Sequence, residues 1–131
     1  MEKGGAWTRE TAGGCRNHPA TYALNPAYQL VLNGSAREED NEVMLELRGP
    51  KDYAIGLEVT AVTLVNPAAA ASATFRRADS GAFRSGFTYL KLKALPAGTY
   101  QIVPSTYQPG QTGPFFLTVN STHPIKLSRL R

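Results

Sequence analysis

The chain has 131 residues, a formal net charge of +4, 42% hydrophobic residues and one cysteine. A chain of this length buries roughly two thirds of the surface it exposes when unfolded, enough for one domain with its own core. The polar opening Met1-Glu2-Lys3-Gly4-Gly5 argues against a signal peptide or membrane anchor, and the lone Cys15 cannot close an internal disulfide, so a reducing, cytoplasmic setting is expected.

Residues 1–6 read as a flexible N-terminal segment, and Gly13-Gly14 as a tight entry into the first strand. From there apolar residues recur with a period of two. Tyr28, Leu30 and Leu32 alternate with Gln29 and Val31, and Val43, Leu45 and Leu47 with Met44 and Glu46. Ile55, Leu57 and Val59 alternate with Gly56 and Glu58, and the pattern resumes at Leu90 and Leu92, Tyr100 and Ile102, Phe115 to Val119, and Ile125 and Leu127. Clusters at Asn33-Gly34-Ser35, Gly49-Pro50, Asn66-Pro67, Pro96-Ala97-Gly98 and Pro109-Gly110 separate the runs. Pro67 to Ala73 invites only a short helical turn, and Pro104 reads as the point where a strand ends. About eight half-buried strands predict an all-β fold, an antiparallel β-sandwich.

Catalytic chemistry finds little support. Cys15 and His18 share a Gly-rich, Pro-bounded loop, and no motif supplies a third group to orient the imidazole, so no catalytic residue is assigned. One cysteine with His18 and His123 falls short of a structural zinc site. Gly13-Gly14 lacks the lysine and following helix of a phosphate loop. Trp7, Tyr22, Tyr28 and Phe115 read as packing residues. The basic residues are the more informative set: Arg76, Arg77, Arg84, Lys91 and Lys93 fall close together beside only Asp79. Alternation puts Lys91 and Lys93 on one strand face with Tyr89, opposite Leu90 and Leu92. Such a face suits an anionic membrane or a partner protein; no base-stacking or groove-inserting motif accompanies it, so nucleic acid is not expected.

Two segments far apart carry a family resemblance. Trp7 to Pro26 contains Thr11-Ala12-Gly13-Gly14-Cys15-Arg16-Asn17 and closes on Asn25-Pro26, while Leu95 to Leu117 reads LPAGTYQIVPSTYQPGQTGPFFL, with Tyr53-Ala54-Ile55-Gly56-Leu57 between them. Together they resemble the C2-like domain of calpains, domain III, across residues 7–120. Gly113-Pro114-Phe115-Phe116-Leu117 and Pro124-Ile125-Lys126-Leu127 look most like the distal C-terminal domain of the calpain-7 or PalB-type branch. The resemblance implies a C2-like β-sandwich over residues 7–131, noncatalytic in itself, within an intracellular cysteine protease. It further implies the parent's protease core and neighbouring domains as partners, and a place among endosomal-sorting adaptors at endosomal or other intracellular membranes.

Some calpain C2-like domains bind calcium through an acidic loop, which here corresponds to Asn33 to Asn41 and holds only Glu38, Glu39 and Asp40. Adjacent carboxylates on an extended chain point apart, whereas calcium takes six to eight converging oxygens, so calcium is not favoured and no cofactor is expected. Two functions follow as expectations. One is a regulatory or docking domain. The other is a peripheral module holding anionic phospholipids through Arg76, Arg77, Arg84, Lys91 and Lys93.

Overall fold

The computed structural model describes residues 1–33, 41–64 and 77–131. Within them, strands β1 (Glu2–Trp7), β2 (Tyr28–Leu32), β3 (Glu42–Arg48), β4 (Ala54–Leu64) and β5 (Arg77–Asp79) come first. They are followed by β6 (Arg84–Ser85), β7 (Phe87–Lys93), β8 (Gly98–Thr106), β9 (Gly113–Ser121) and β10 (Ile125–Arg129). One sheet runs β1-β9-β3-β7 and the other β10-β2-β8-β4-β5, with β6 beside β4, and every pairing is antiparallel. The alternating residues decide the layers. Leu30, Leu32, Val59, Tyr100 and Ile102 from one sheet meet Val43, Leu45, Leu47, Phe115, Leu117 and Val119 from the other, all fully buried. Each such side chain contributes about 1.5–3 kcal/mol by leaving water, so the sandwich is held chiefly by this layer. At one end Trp7 lies 4.6 Å from the Phe115 ring, and Tyr28 meets the same ring edge-on at 6.2 Å.

Three departures from the sequence pattern have physical reasons. In place of the flexible segment expected over residues 1–6, the chain runs as edge strand β1, paired from Glu2↔Thr118 to Trp7↔Gly113. Its glycines permit this: a Cβ on Gly5 would lie 2.6 Å from both Phe115 and the Tyr28 hydroxyl, so only a bare backbone can pass over that aromatic pair. Pro104 does not end its strand either. It sits in β8 opposite Leu57, beyond the last β2 pairing at Tyr28↔Ile102, so its missing N–H faces no waiting acceptor, and its carbonyl accepts from Trp7 Nε1 at 3.1 Å. Gly13-Gly14 stands in the loop after β1, not at a strand entry, and Gly14 takes a φ of 77°. The helical turn expected at Pro67 to Ala73 lies outside the described residues.

Candidate functional site: an exposed sheet face and a loop clamp

The outer face of the four-stranded sheet gathers what alternation pushes out of the core. From β7 come Tyr89, Lys91 and Lys93, as expected, and with them Phe87; from β3 come Glu42, Met44, Glu46 and Arg48; from β9 come Pro114, Phe116, Thr118 and Asn120. Register sets their neighbours. Phe116, Arg48 and Phe87 form one row across the sheet, Thr118, Glu46 and Tyr89 the next, then Asn120, Met44 and Lys91. Lys93 stands opposite Glu42, and the Lys91 ammonium reaches the Glu42 carboxylate at 2.8 Å. That hydrogen bond, together with the lysine's charge, holds the Glu42 carboxyl below its ordinary range. The face is therefore of mixed charge along its β3–β7 edge, not a basic strip.

Arg77 and Arg84 take separate places. Arg77 lies on β5 in the six-stranded sheet. Arg84, on β6 beside β4 of that same sheet, sets its guanidinium 5.7 Å from the ring centre of Tyr89 on β7. Arg76, with the calcium candidates Glu38, Glu39 and Asp40, lies outside the described residues. Three residues not anticipated from the sequence join the face: Phe87, Arg48, which stacks 5.9 Å over the Phe87 ring, and Phe116, which is 60% exposed. A sequence signal for Phe116 existed, since adjacent strand residues point to opposite faces and Phe115 belongs to the core. Arg48, Lys51, Ser85, Gly86 and Phe87 line an open groove of about 700 Å³ where the β3–β4 and β6–β7 connections meet.

On the opposite side a clamp fastens the long β1–β2 loop to the six-stranded sheet. Arg16 Nε donates to Glu58 Oε2 at 2.6 Å and its Nη2 to Oε1, while the guanidinium rests 4.7 Å over the Tyr22 ring. Glu58 needs the neutralisation, because its side chain is only 10% exposed and Asp79 stands directly opposite on β5. The hydrogen bond from Arg16 to Glu58 raises the arginine's pKa, so its guanidinium stays charged. Among the described residues the buried Tyr22 hydroxyl has no hydrogen-bond partner, and burial first, then the Glu58 charge, push its pKa well above the ordinary tyrosine value.

A raised folded-state pKa contributes stability that is intact below the ordinary tyrosine range and lost as pH rises beyond it. Alkaline unfolding followed by circular dichroism should therefore begin above that range, with Tyr22 phenolate absorbance appearing only as the fold opens. Tyr22→Phe should move the midpoint to higher pH. An unmoved midpoint would show that Tyr22 is not the group being held neutral.

Cys15 is buried, with its backbone N–H bonded to Tyr107 O and its carbonyl accepting from His18 N–H. His123 sits in the β9–β10 turn against the Thr122 hydroxyl. Among the described residues no group of three or more His, Cys, Asp or Glu side chains is placed to hold a metal ion, and no helix is long and apolar enough to cross a membrane.

The family model for calpain large subunit, domain III, matches residues 3–120. The chain belongs to the calpain domain III family. Calpain-7 of Sus scrofa is 43% identical over 97% of this chain, and calpain-like protease palB/RIM13 of Aspergillus oryzae 37% identical over 96%. This domain III spans only 15% and 14% of those two proteins. The pre-peptidase C-terminal domain of a Bacillus anthracis collagenase superposes with a TM-score of 0.53, covering 92% of this chain and 88% of that one, at 10% identity, a likeness of fold alone. The family resemblance carried by the end motifs, including its calpain-7 and PalB-type leaning, is borne out.

Proposed function

We propose that this domain III is a noncatalytic docking module of an intracellular calpain-type cysteine protease, and that the outer face of its four-stranded sheet packs against the protease core of the same polypeptide. The observation that carries this reading is the mixed character of the face. Exposed Phe87, Tyr89 and Phe116 stand among Arg48, Lys91, Glu42 and Glu46. Aromatics and arginine are the residues that dominate protein interfaces, and interspersed charges of both signs give register and specificity. An anionic membrane would meet Glu42 and Glu46 as well as the lysines, which weakens the phospholipid reading based on Lys91 and Lys93. No ion takes part in the docking. Adaptors of endosomal sorting reach the parent protein through its other domains, and the working location is the cytoplasm and the surfaces of internal membranes.

A pull-down between this domain and a calpain protease core supplied in trans, in EDTA, tests it. Phe116→Ala and Phe87→Ala should each weaken capture by about tenfold or more if they are central contacts, while Lys126→Ala on the far sheet changes nothing. Sedimentation with phosphatidylserine vesicles, insensitive to the Phe variants and with no capture by the core, would hand the role to the membrane reading.

A further inference from the structure

We infer that the groove between the β3–β4 and β6–β7 connections is a recognition site for an acidic polypeptide segment bearing an aromatic or aliphatic side chain. The inference rests on the docking reading and names the part of the partner that would seat at this corner of the face. Three cations border the groove or its rim. Arg48 and Lys51 line it, and Arg84 precedes Ser85, which also lines it. Among the described residues none of the three has a carboxylate within 4 Å, in contrast to Lys91, which is neutralised by Glu42. The carboxylates nearest by position are Glu46 and Glu2, both one row along from Arg48 and lining a shared cavity with it, and Asp52, the neighbour of Lys51 in sequence. None of them closes an ion pair with these cations.

The corner is also built to hold a chain. Its floor is tied down, with Gly49 N–H donating to Gly86 O at 2.9 Å and Gly86 N–H to Tyr53 O at 3.2 Å, so binding does not have to order the backbone first. Gly86 adopts a φ of 75°, which a side chain rarely tolerates, and a Cβ there would come within 3.3 Å of Lys51, narrowing the groove. The Phe87 ring, 39% exposed and backed by Arg48, offers the apolar surface for one anchor residue. Cations flanking an open aromatic face complement a segment of alternating acidic and apolar character. A flat anionic bilayer fits less well, because lowering this corner onto it also brings Glu46 and Glu42 of the same sheet face toward the headgroups.

The test uses fluorescence anisotropy with the labelled peptide Glu-Glu-Phe-Glu-Glu-Phe-Glu-Glu, its Lys-for-Glu counterpart, and phosphatidylserine vesicles. The acidic peptide should bind and the basic one should not, and binding should fall as salt rises, since exposed charges are screened beyond about 8 Å at physiological ionic strength. Arg48→Gln, Lys51→Gln and Arg84→Gln should each weaken it by about three- to tenfold, and Lys93→Gln by less than about twofold. Amide shifts on titration should centre on Gly86 and Phe87. Equal losses in the Lys93 variant, vesicle binding without peptide binding, or no peptide binding at all would each overturn the inference. Should the peptide fail while Phe116→Ala still weakens capture by the protease core, the docking reading survives and only this site falls.

Discussion

Trp7→Ala lowers the stability of the domain by about 3–5 kcal/mol, the cost of emptying a large, fully packed aromatic site. The indole is 1% exposed, lies against Phe115, and its Nε1 donates to the carbonyl of Pro104, 97 residues away. Removing it leaves a cavity between the sheets, deprives a buried carbonyl of its donor, and loosens β1 from β9 at its inner end. Trp7→Phe should cost less, because the ring contact survives and the hydrogen bond does not. Leu117→Ala and Ile102→Ala, both fully buried in facing sheets, should each cost about 2–5 kcal/mol, and exposed Lys126→Ala little. Urea unfolding read by tryptophan fluorescence, with circular dichroism for the Trp7 variants, measures all five. Small, equal shifts would mean that the two faces of these strands are misassigned.

Asn25→Ala should cost about 3 kcal/mol, since two buried hydrogen bonds and a partly buried one go at once and each unsatisfied partner costs about 1–3 kcal/mol before any water reaches it. The side chain is fully buried; its Oδ1 accepts from Gly13 N–H at 3.0 Å, and its Nδ2 donates to Gly14 O at 2.8 Å and Tyr22 O at 2.9 Å. It therefore replaces a missing partner strand for the loop that carries Arg16. A Cβ on Gly13 would stand 2.1 Å from Thr21 O, which shows how tightly the loop closes around Asn25. Asn25→Asp retains the acceptor but turns a negative oxygen toward two carbonyls, so it should not rescue. Hydrogen exchange is the decisive readout: Gly13 and Cys15 amides should lose protection in Asn25→Ala while β3 and β9 keep theirs. A uniform loss would place Asn25 in the global core, and no loss would show that the loop is held by Arg16 and Glu58 alone.

Much of this geometry was legible at the level of single strands. The outward direction of Lys91, Lys93 and Tyr89 and the inward direction of Leu92 follow from the pleat, which turns successive side chains to opposite faces whatever the strand pairs with. Short β5 and β6 escaped the same reading because two or three residues cannot display a period. Strand β1 escaped because its glycines resemble those of a flexible segment, and their use as a clearance over Phe115 depends on a residue more than a hundred positions away.

By itself, the amino-acid sequence determined the class of fold, the family, and which residues of the longer strands are buried, because all three rest on local alternation and on end motifs that remain recognisable without a partner. Tertiary structure alone decided the electrostatic character of the surface. Antiparallel register places Glu42 opposite Lys93 and within reach of Lys91, sends Arg77 to the other sheet, carries Arg84 onto Tyr89, and brings Arg16 to Glu58 across 42 positions. A charge acts over a few ångströms of space and not along the chain, so the five cations that look like one patch in the sequence cannot be assigned to one surface until the strands are paired.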